Sequence, residues 1–196
     1  MRMTVTHLLY LHGFRSSPQS AKARQFAQRV AERHPAVTWW CPQLPPSPRA
    51  AMGLLMDGIA TWPRDRMAVA GSSLGGFYAT YVSQATGCRA VVLNPAVHAA
   101  RDLAKYVGQH SPWHEPGEPF VFEASYVDEL RALECGPLAD PSNCLAVIAK
   151  GDEVLDWREM TARYAGARIK LLEGSDHALT DFDQHIDEVF GFLNLA

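Results

Sequence analysis

Three short stretches hold residue types suited to nucleophilic chemistry: Gly71-Ser72-Ser73-Leu74-Gly75, Gly151-Asp152-Glu153 and Gly174-Ser175-Asp176-His177. The first has the form GxSxG, in which a sharp turn from strand to helix exposes the central side chain. Glycines two residues before and two after remove the Cβ atoms that would collide at such a bend. The register selects Ser73; Ser72 falls on the strand side, with no second glycine pair framing it. The N–H of Leu74 then opens a helix, where it can stabilise an oxyanion. Phosphate-binding readings of the same glycines fail. A P-loop needs lysine after its last glycine, where this chain has Phe77. A dinucleotide fingerprint has GxGxxG spacing and follows the first strand.

A serine hydroxyl is a poor nucleophile at neutral pH. It needs a histidine as base, and the histidine needs a carboxylate to fix its tautomer. With the serine on such a turn, the acid follows a later strand and the histidine comes near the C-terminus. Asp152 and His177 arrive in that order, each just beyond an apolar run. Asp152 directly follows the glycine that leaves its strand and is the first choice of acid, with Asp156 in reserve and Glu153 in the same loop. Asp176, adjacent to His177, is badly placed to reach that ring and reads as a turn carboxylate. His12, followed by Gly13, is read as shaping a loop that supplies a second oxyanion N–H, from Phe14. His7, His34 and His185 read as structural or solvated. His110 and His114, four apart, raise a zinc reading; Pro112 between them and the lack of a third ligand stand against it. The chemistry read from Ser73, His177 and Asp152 calls for no metal and no organic cofactor.

These stretches need elements to hold them. Six apolar or β-branched runs, at 7–11, 37–41, 67–70, 90–93, 145–149 and 169–172, alternate with helical patterns or loops. Near-continuous apolar strands belong to a parallel sheet covered on both faces. Helices are expected from Ser20, as N-cap, to Arg33; from Gly75 to Gln84; and from Asp156 to Tyr164. A fourth is expected from Thr180 to Leu193, with Phe182, Ile186, Val189, Phe190 and Leu193 three and four apart. The alternation implies right-handed crossovers and one doubly wound α/β domain over residues 1–196.

The stretch 98–142 carries Pro112, Pro116, Pro119, Pro137 and Pro141 and is long for a connection. It reads as a partly helical, lid-like insertion over the carboxyl edge of the sheet, where such folds bind ligands. Trp113, Phe120, Phe122 and Tyr126, with Leu44 and Pro45, either wall an acyl pocket or simply pack the insertion down. Arg15 and Lys22 either meet an anionic head group, such as a CoA phosphate, or are solvated surface charges.

Composition narrows the partners. A net charge of −3 leaves no electrostatic footprint for nucleic acid or an anionic membrane. The longest apolar run near the N-terminus, Leu8 to Leu11, is too short for a signal h-region or a membrane span. Cys41, Cys88, Cys135 and Cys144 lie far apart without CxxC or metal-like spacing, as expected of reduced thiols in a cytoplasmic protein. A small molecule is the expected partner.

The stretches YLHGFRSSPQSAKA, GSSLGGFYA, LNPAV, GDEVLDWR and GSDHAL, taken together, resemble the YqiA/YcfP-type bacterial esterases of the α/β-hydrolase superfamily over nearly the whole chain. The resemblance implies a three-layer α/β-hydrolase fold: a mostly parallel six-stranded sheet, helices on both faces and a small lid, beginning near the superfamily's third strand. It also implies esterase activity, with an acyl ester or thioester such as acyl-CoA as substrate. Carried over residue by residue, the nucleophile falls on Ser73, the acid on Asp152 and the base on His177. The oxyanion donors fall on the N–H groups of Phe14 and Leu74.

Overall fold

The computed structural model describes residues 3–111 and 119–195; Trp113 and His114 lie outside them. Six strands form one sheet: β1 (His7–Leu11), β2 (Thr38–Trp40), β3 (Met67–Ser72), β4 (Arg89–Leu93), β7 (Cys144–Ala149) and β8 (Arg168–Leu172). Their order is β2-β1-β3-β4-β7-β8, and every pairing is parallel. All six expected strands are present, with ends moved by no more than two residues. Parallel pairing puts every strand's carboxyl end on one edge, so the loops after β1, β3, β4, β7 and β8 converge there.

Side chains alternate along each strand, and the alternation builds two cores. Leu9, Leu11, Val69, Val92, Ala146 and Ile148 face one side with α2 (Pro48–Gly58), α3 (Leu74–Thr86), α4 (Ala99–Leu103), α5 (Ala124–Ala132) and α6 (Trp157–Arg163). Leu8, Tyr10, Ala68, Ala70, Val91, Leu93 and Val147 face the other, against α1 (Ala21–Arg33) and α7 (Ile186–Leu193). Each fully buried Leu, Val or Phe contributes about 1.5–3 kcal/mol relative to exposure. The result is a three-layer α/β sandwich of the α/β-hydrolase type.

Local signals explain three helix starts, those of α1, α2 and α6. Ser20 caps α1, its hydroxyl accepting the Ala23 N–H, and Ala23, Phe26 and Val30 form the buried stripe. The helix α2 was not expected from the sequence. Ser47 caps it, Pro48 fills its first turn, and Ala51, Met52 and Leu55 are buried. The expected C-terminal helix is also shorter than its apolar spacing suggests. Leu179 has φ of 49°, so the chain turns there and passes through a 3₁₀ turn at Phe182–Gln184 before α7 begins at Ile186.

Between β4 and β7 lie α4, a 3₁₀ turn at Ala104–Tyr106, an antiparallel pair and α5. The pair is β5 (Gly108–His110) with β6 (Phe120–Phe122), in the register His110 opposite Phe120 and Gly108 opposite Phe122. Strands within this segment were not anticipated. Alternation buries Phe122 and leaves Val121 54% exposed on the outer side.

Candidate active site

The elbow after β3 is dictated by crowding. A Cβ on Gly71 would lie 2.1 Å from the Gly75 carbonyl oxygen, and one on Gly75 would lie 2.0 Å from that of Leu11. Both positions admit only glycine. Between them Ser73 takes φ 56° and ψ −120°, and Ser72 remains buried at the end of β3. The strained serine is held on both sides: its N–H donates to Leu93 and its carbonyl accepts from Ala96, each at 3.0 Å. Of the six non-glycine residues with positive φ among the described residues, five (Arg15, Ser73, Asn94, Ser175, Leu179) lie in the loops around this edge. Such strain persists only where surrounding contacts over-determine it.

His177, on the loop after β8, brings Nε2 to 3.1 Å from Ser73 Oγ and Nδ1 to 2.7 Å from Asp152 Oδ2. The Asp152 side chain is fully buried, and that of His177 is 21% exposed. Asp152 Oδ1 accepts the N–H groups of Val154 and Leu155, both at 2.8 Å, which orients the other oxygen at the ring. A carboxylate only accepts, so Nδ1 carries the proton and Nε2 is free to accept from the Ser73 hydroxyl.

The remaining acids are occupied elsewhere. Asp156 caps α6 by accepting the Arg158 N–H at 2.9 Å and makes no contact with the imidazole. Asp176 accepts the N–H and hydroxyl of Thr180, both at 3.0 Å. Glu153 accepts the backbone N–H of His177 at 3.0 Å, a contact that its place in the sequence does not suggest.

The loop after β1 is held by His12, which is 3% exposed. Its Nε2 accepts the Leu44 N–H at 3.1 Å, so its proton sits on Nδ1, which lies 3.0 Å from the Gly13 carbonyl and donates to it. The Ser16 N–H donates to the same oxygen at 3.2 Å. In a trans peptide C=O and N–H point oppositely, so the Phe14 N–H is aimed away from His12. Gly13 lies against Ser73: a Cβ there would be 3.3 Å from Ser73 Cβ. Leu74 is the first residue of α3, and its N–H has no acceptor within the helix.

The Phe14 ring is enclosed by the insertion. Tyr106, His110, Phe120 and Phe122 surround it at centroid distances of 5.7, 5.5, 6.0 and 5.3 Å, and Tyr126 stacks edge-on to Phe122 at 5.5 Å. Phe120 and Tyr126 are thus brought towards the site, but through Phe14 and Phe122. Trp113 falls outside the described residues. A cleft of about 140 Å³ near α3 and α6 is lined by Phe77, Thr80, Ala96, Val97, Arg163 and Tyr164, with neither Phe120 nor Tyr126 in its wall.

Both basic residues near the site are tied down. Arg15 Nε donates to the Ser111 carbonyl at 2.8 Å, and Lys22 Nζ donates to the Ala178 carbonyl, one residue past His177. Burial pulls the Lys22 ammonium down to about 8, against the opposing influence of the Asp176 and Asp152 carboxylates. Among the described residues no three His, Cys, Asp or Glu side chains gather as a metal site. His110 instead contacts the Tyr106 carbonyl and the Phe14 ring. No helix among the described residues is long and apolar enough to cross a membrane.

Uncharacterised protein family UPF0227 matches residues 7–194. Solved structures with the same fold include α/β-hydrolase domain-containing protein 10 from mouse, at 12% identity and a TM-score of 0.70, covering 98% of this chain and 92% of that one. A structure from work on LipS and LipT, two metagenome-derived lipolytic enzymes, matches at 18% identity and 0.68, covering 97% and 95%. Est1E from Butyrivibrio proteoclasticus matches at 14% identity and 0.67, covering 95% and 85%. At such identities these likenesses establish the fold.

Proposed function

The chain belongs to UPF0227, the YqiA/YcfP family of the α/β-hydrolase superfamily, and from that premise we propose that it is a serine esterase or thioesterase acting on acyl esters or thioesters, acyl-CoA among the thioesters. The observation that carries the reading is the continuous chain Ser73 Oγ, His177 Nε2, His177 Nδ1, Asp152 Oδ2, with links of 3.1 and 2.7 Å. Ser73 Oγ attacks the acyl carbonyl while His177 Nε2 takes its proton. Asp152 holds the imidazole and stabilises its charged form. The oxyanion is met by the N–H groups of Leu74 and Phe14, a donor of this kind being worth about 3–4 kcal/mol. The intermediate collapses, the C–O or C–S bond breaks, and the alkoxide or thiolate leaves with the proton from His177. Water then attacks the acyl-enzyme, His177 again taking and returning a proton, and Ser73 is released with the carboxylic acid.

A fluorophosphonate probe and a panel of p-nitrophenyl esters and acyl-CoAs test the reading. Wild type should be labelled and should turn over at least one class, and Ser73→Ala should lose both. Undiminished labelling of Ser73→Ala would sink it. Asp152→Asn should lower kcat by about 10³–10⁴-fold, with Asp156→Asn near wild type; the reverse ranking would transfer the acid's role.

A further inference from the structure

Asn94 follows β4 within the stretch Leu93-Asn94-Pro95-Ala96-Val97, and nothing in the reaction described above uses its side chain. It is completely buried. It also stands at φ 40°, a left-handed conformation that asparagine tolerates better than most residues.

Its bonds run to two of the three parts of the site, and residues beside it in the chain hold the third. The backbone N–H donates to Val147 of β7 at 2.9 Å, and Oδ1 accepts the N–H of Ala149, the last residue of that strand, at 2.8 Å. Ala149 in turn accepts the Asp152 N–H at 3.3 Å, so the acid-bearing turn starts from a residue that Asn94 holds. On its other side, Nδ2 donates to the carbonyls of Asp176 at 2.9 Å and His177 at 3.2 Å. Its neighbours Leu93 and Ala96 are the residues that grip the Ser73 peptide. One planar amide therefore donates to the base-bearing loop and accepts from the acid-bearing strand, beside the elbow. An amide side chain both donates and accepts, which a carboxylate or an alkyl group of similar size cannot do.

We infer that Asn94 is a positioning residue that sets the His177 imidazole relative to both Ser73 and Asp152. The inference rests on the serine-hydrolase reading for its effect on rate, while its effect on the imidazole is independent of turnover. Asn94→Asp keeps the size and the acceptor oxygen but loses the donor towards Asp176 and His177. Asn94→Ala loses both.

The test measures kcat and KM on p-nitrophenyl butyrate per Ser73 labelled at completion, together with the downfield proton resonance of His177 Nδ1. Circular dichroism confirms folding. Phe26→Ala, in the opposite core, serves as a control for destabilisation alone. Both Asn94 variants should lose about 100-fold or more in kcat per labelled site, with KM within a factor of about three and the resonance shifted or broadened, while the control changes neither. Unchanged kcat per labelled site and an unchanged resonance would overturn the inference.

If neither variant folds, wild type decides. Along a urea titration the Asn94 Nδ2 protons and the His177 Nδ1 proton should be lost together; loss of the imidazole signal with the amide still protected would overturn the inference. A wild type that neither turns over ester nor accepts the probe removes the hydrolase reading and the rate effect with it, and the resonance still reports the positioning.

Discussion

Lys22 donates to a carbonyl 156 residues away, and its ammonium is held at about 8 rather than the ordinary 10.5. Between those values the unfolded chain binds more protons than the folded one, so stability rises with pH across the window. The gain is complete above about 10.5 and is lost as pH falls through about 8. Lys22→Met removes this dependence. The melting temperature of wild type minus that of the variant should therefore climb between pH 8 and pH 10.5; a flat difference would mean that the amine is not desolvated. Ser73, Asp152 and His177 could be read from the sequence because a glycine frame marks the first, and the others stand just past apolar strands. Asn94, Glu153 and Lys22 could not. Their partners lie 55, 24 and 156 residues away, and nothing local in the sequence signals those contacts.

Glycine positions separate what an element requires from what it tolerates. Gly75 lies in the first turn of α3, and a methyl group there would strike the backbone of β1, which cannot swing aside. Gly53, within α2, has no atom within 4 Å of its missing Cβ. Gly75→Ala should lower the melting temperature by about 2–12 °C or prevent folding, from an overpacking cost of about 1–3 kcal/mol. Gly53→Ala should raise it by about 1–4 °C through helix propensity. Calorimetry on the two variants checks both, and a Gly75→Ala protein that melts at the wild-type temperature would contradict the crowding at the elbow. Strands and long amphipathic helices were legible because periodicity records them. The hairpin was not, since Gly108–His110 carries no apolar side chain and Phe120–Phe122 is a run of only three residues. The start of α7 was misjudged for a related reason: apolar spacing continues through Phe182, but a left-handed Leu179 and the bonds from Asp176 to Thr180 redirect the chain.

Across the whole molecule the two cores carry different duties. The face covered by α1 and α7 packs Phe26 against Tyr10, Trp39, Phe182 and Phe190 at centroid distances of 4.9, 6.2, 5.4 and 5.4 Å. The other face carries α3 and the helices of the insertion. Phe26→Ala should cost about 3–5 kcal/mol and lower the melting temperature by about 6–20 °C. Activity per labelled site, measured well below the transition, should be unchanged. A fall in kcat per site comparable to that of the Asn94 variants would mean that the distal core also sets the site's geometry. The order of the six sheet strands along the chain, and hence the layered sheet, was legible from alternation alone. The closeness of the loops at one edge follows from parallel pairing, which the sequence implies but does not display.

The ring cage around Phe14 changes where an engineer should cut. Chain topology invites exchange of residues 98–142 for the equivalent segment of another hydrolase, because both ends leave the sheet cleanly. Phe14 lies far outside that graft, on the loop after β1, yet four rings of the segment close around it. A transplant that ignores residue 14 would leave the recipient's aromatic side chain in a socket cut for another one, beside Ser73. The exchangeable module is discontinuous: the segment together with Phe14.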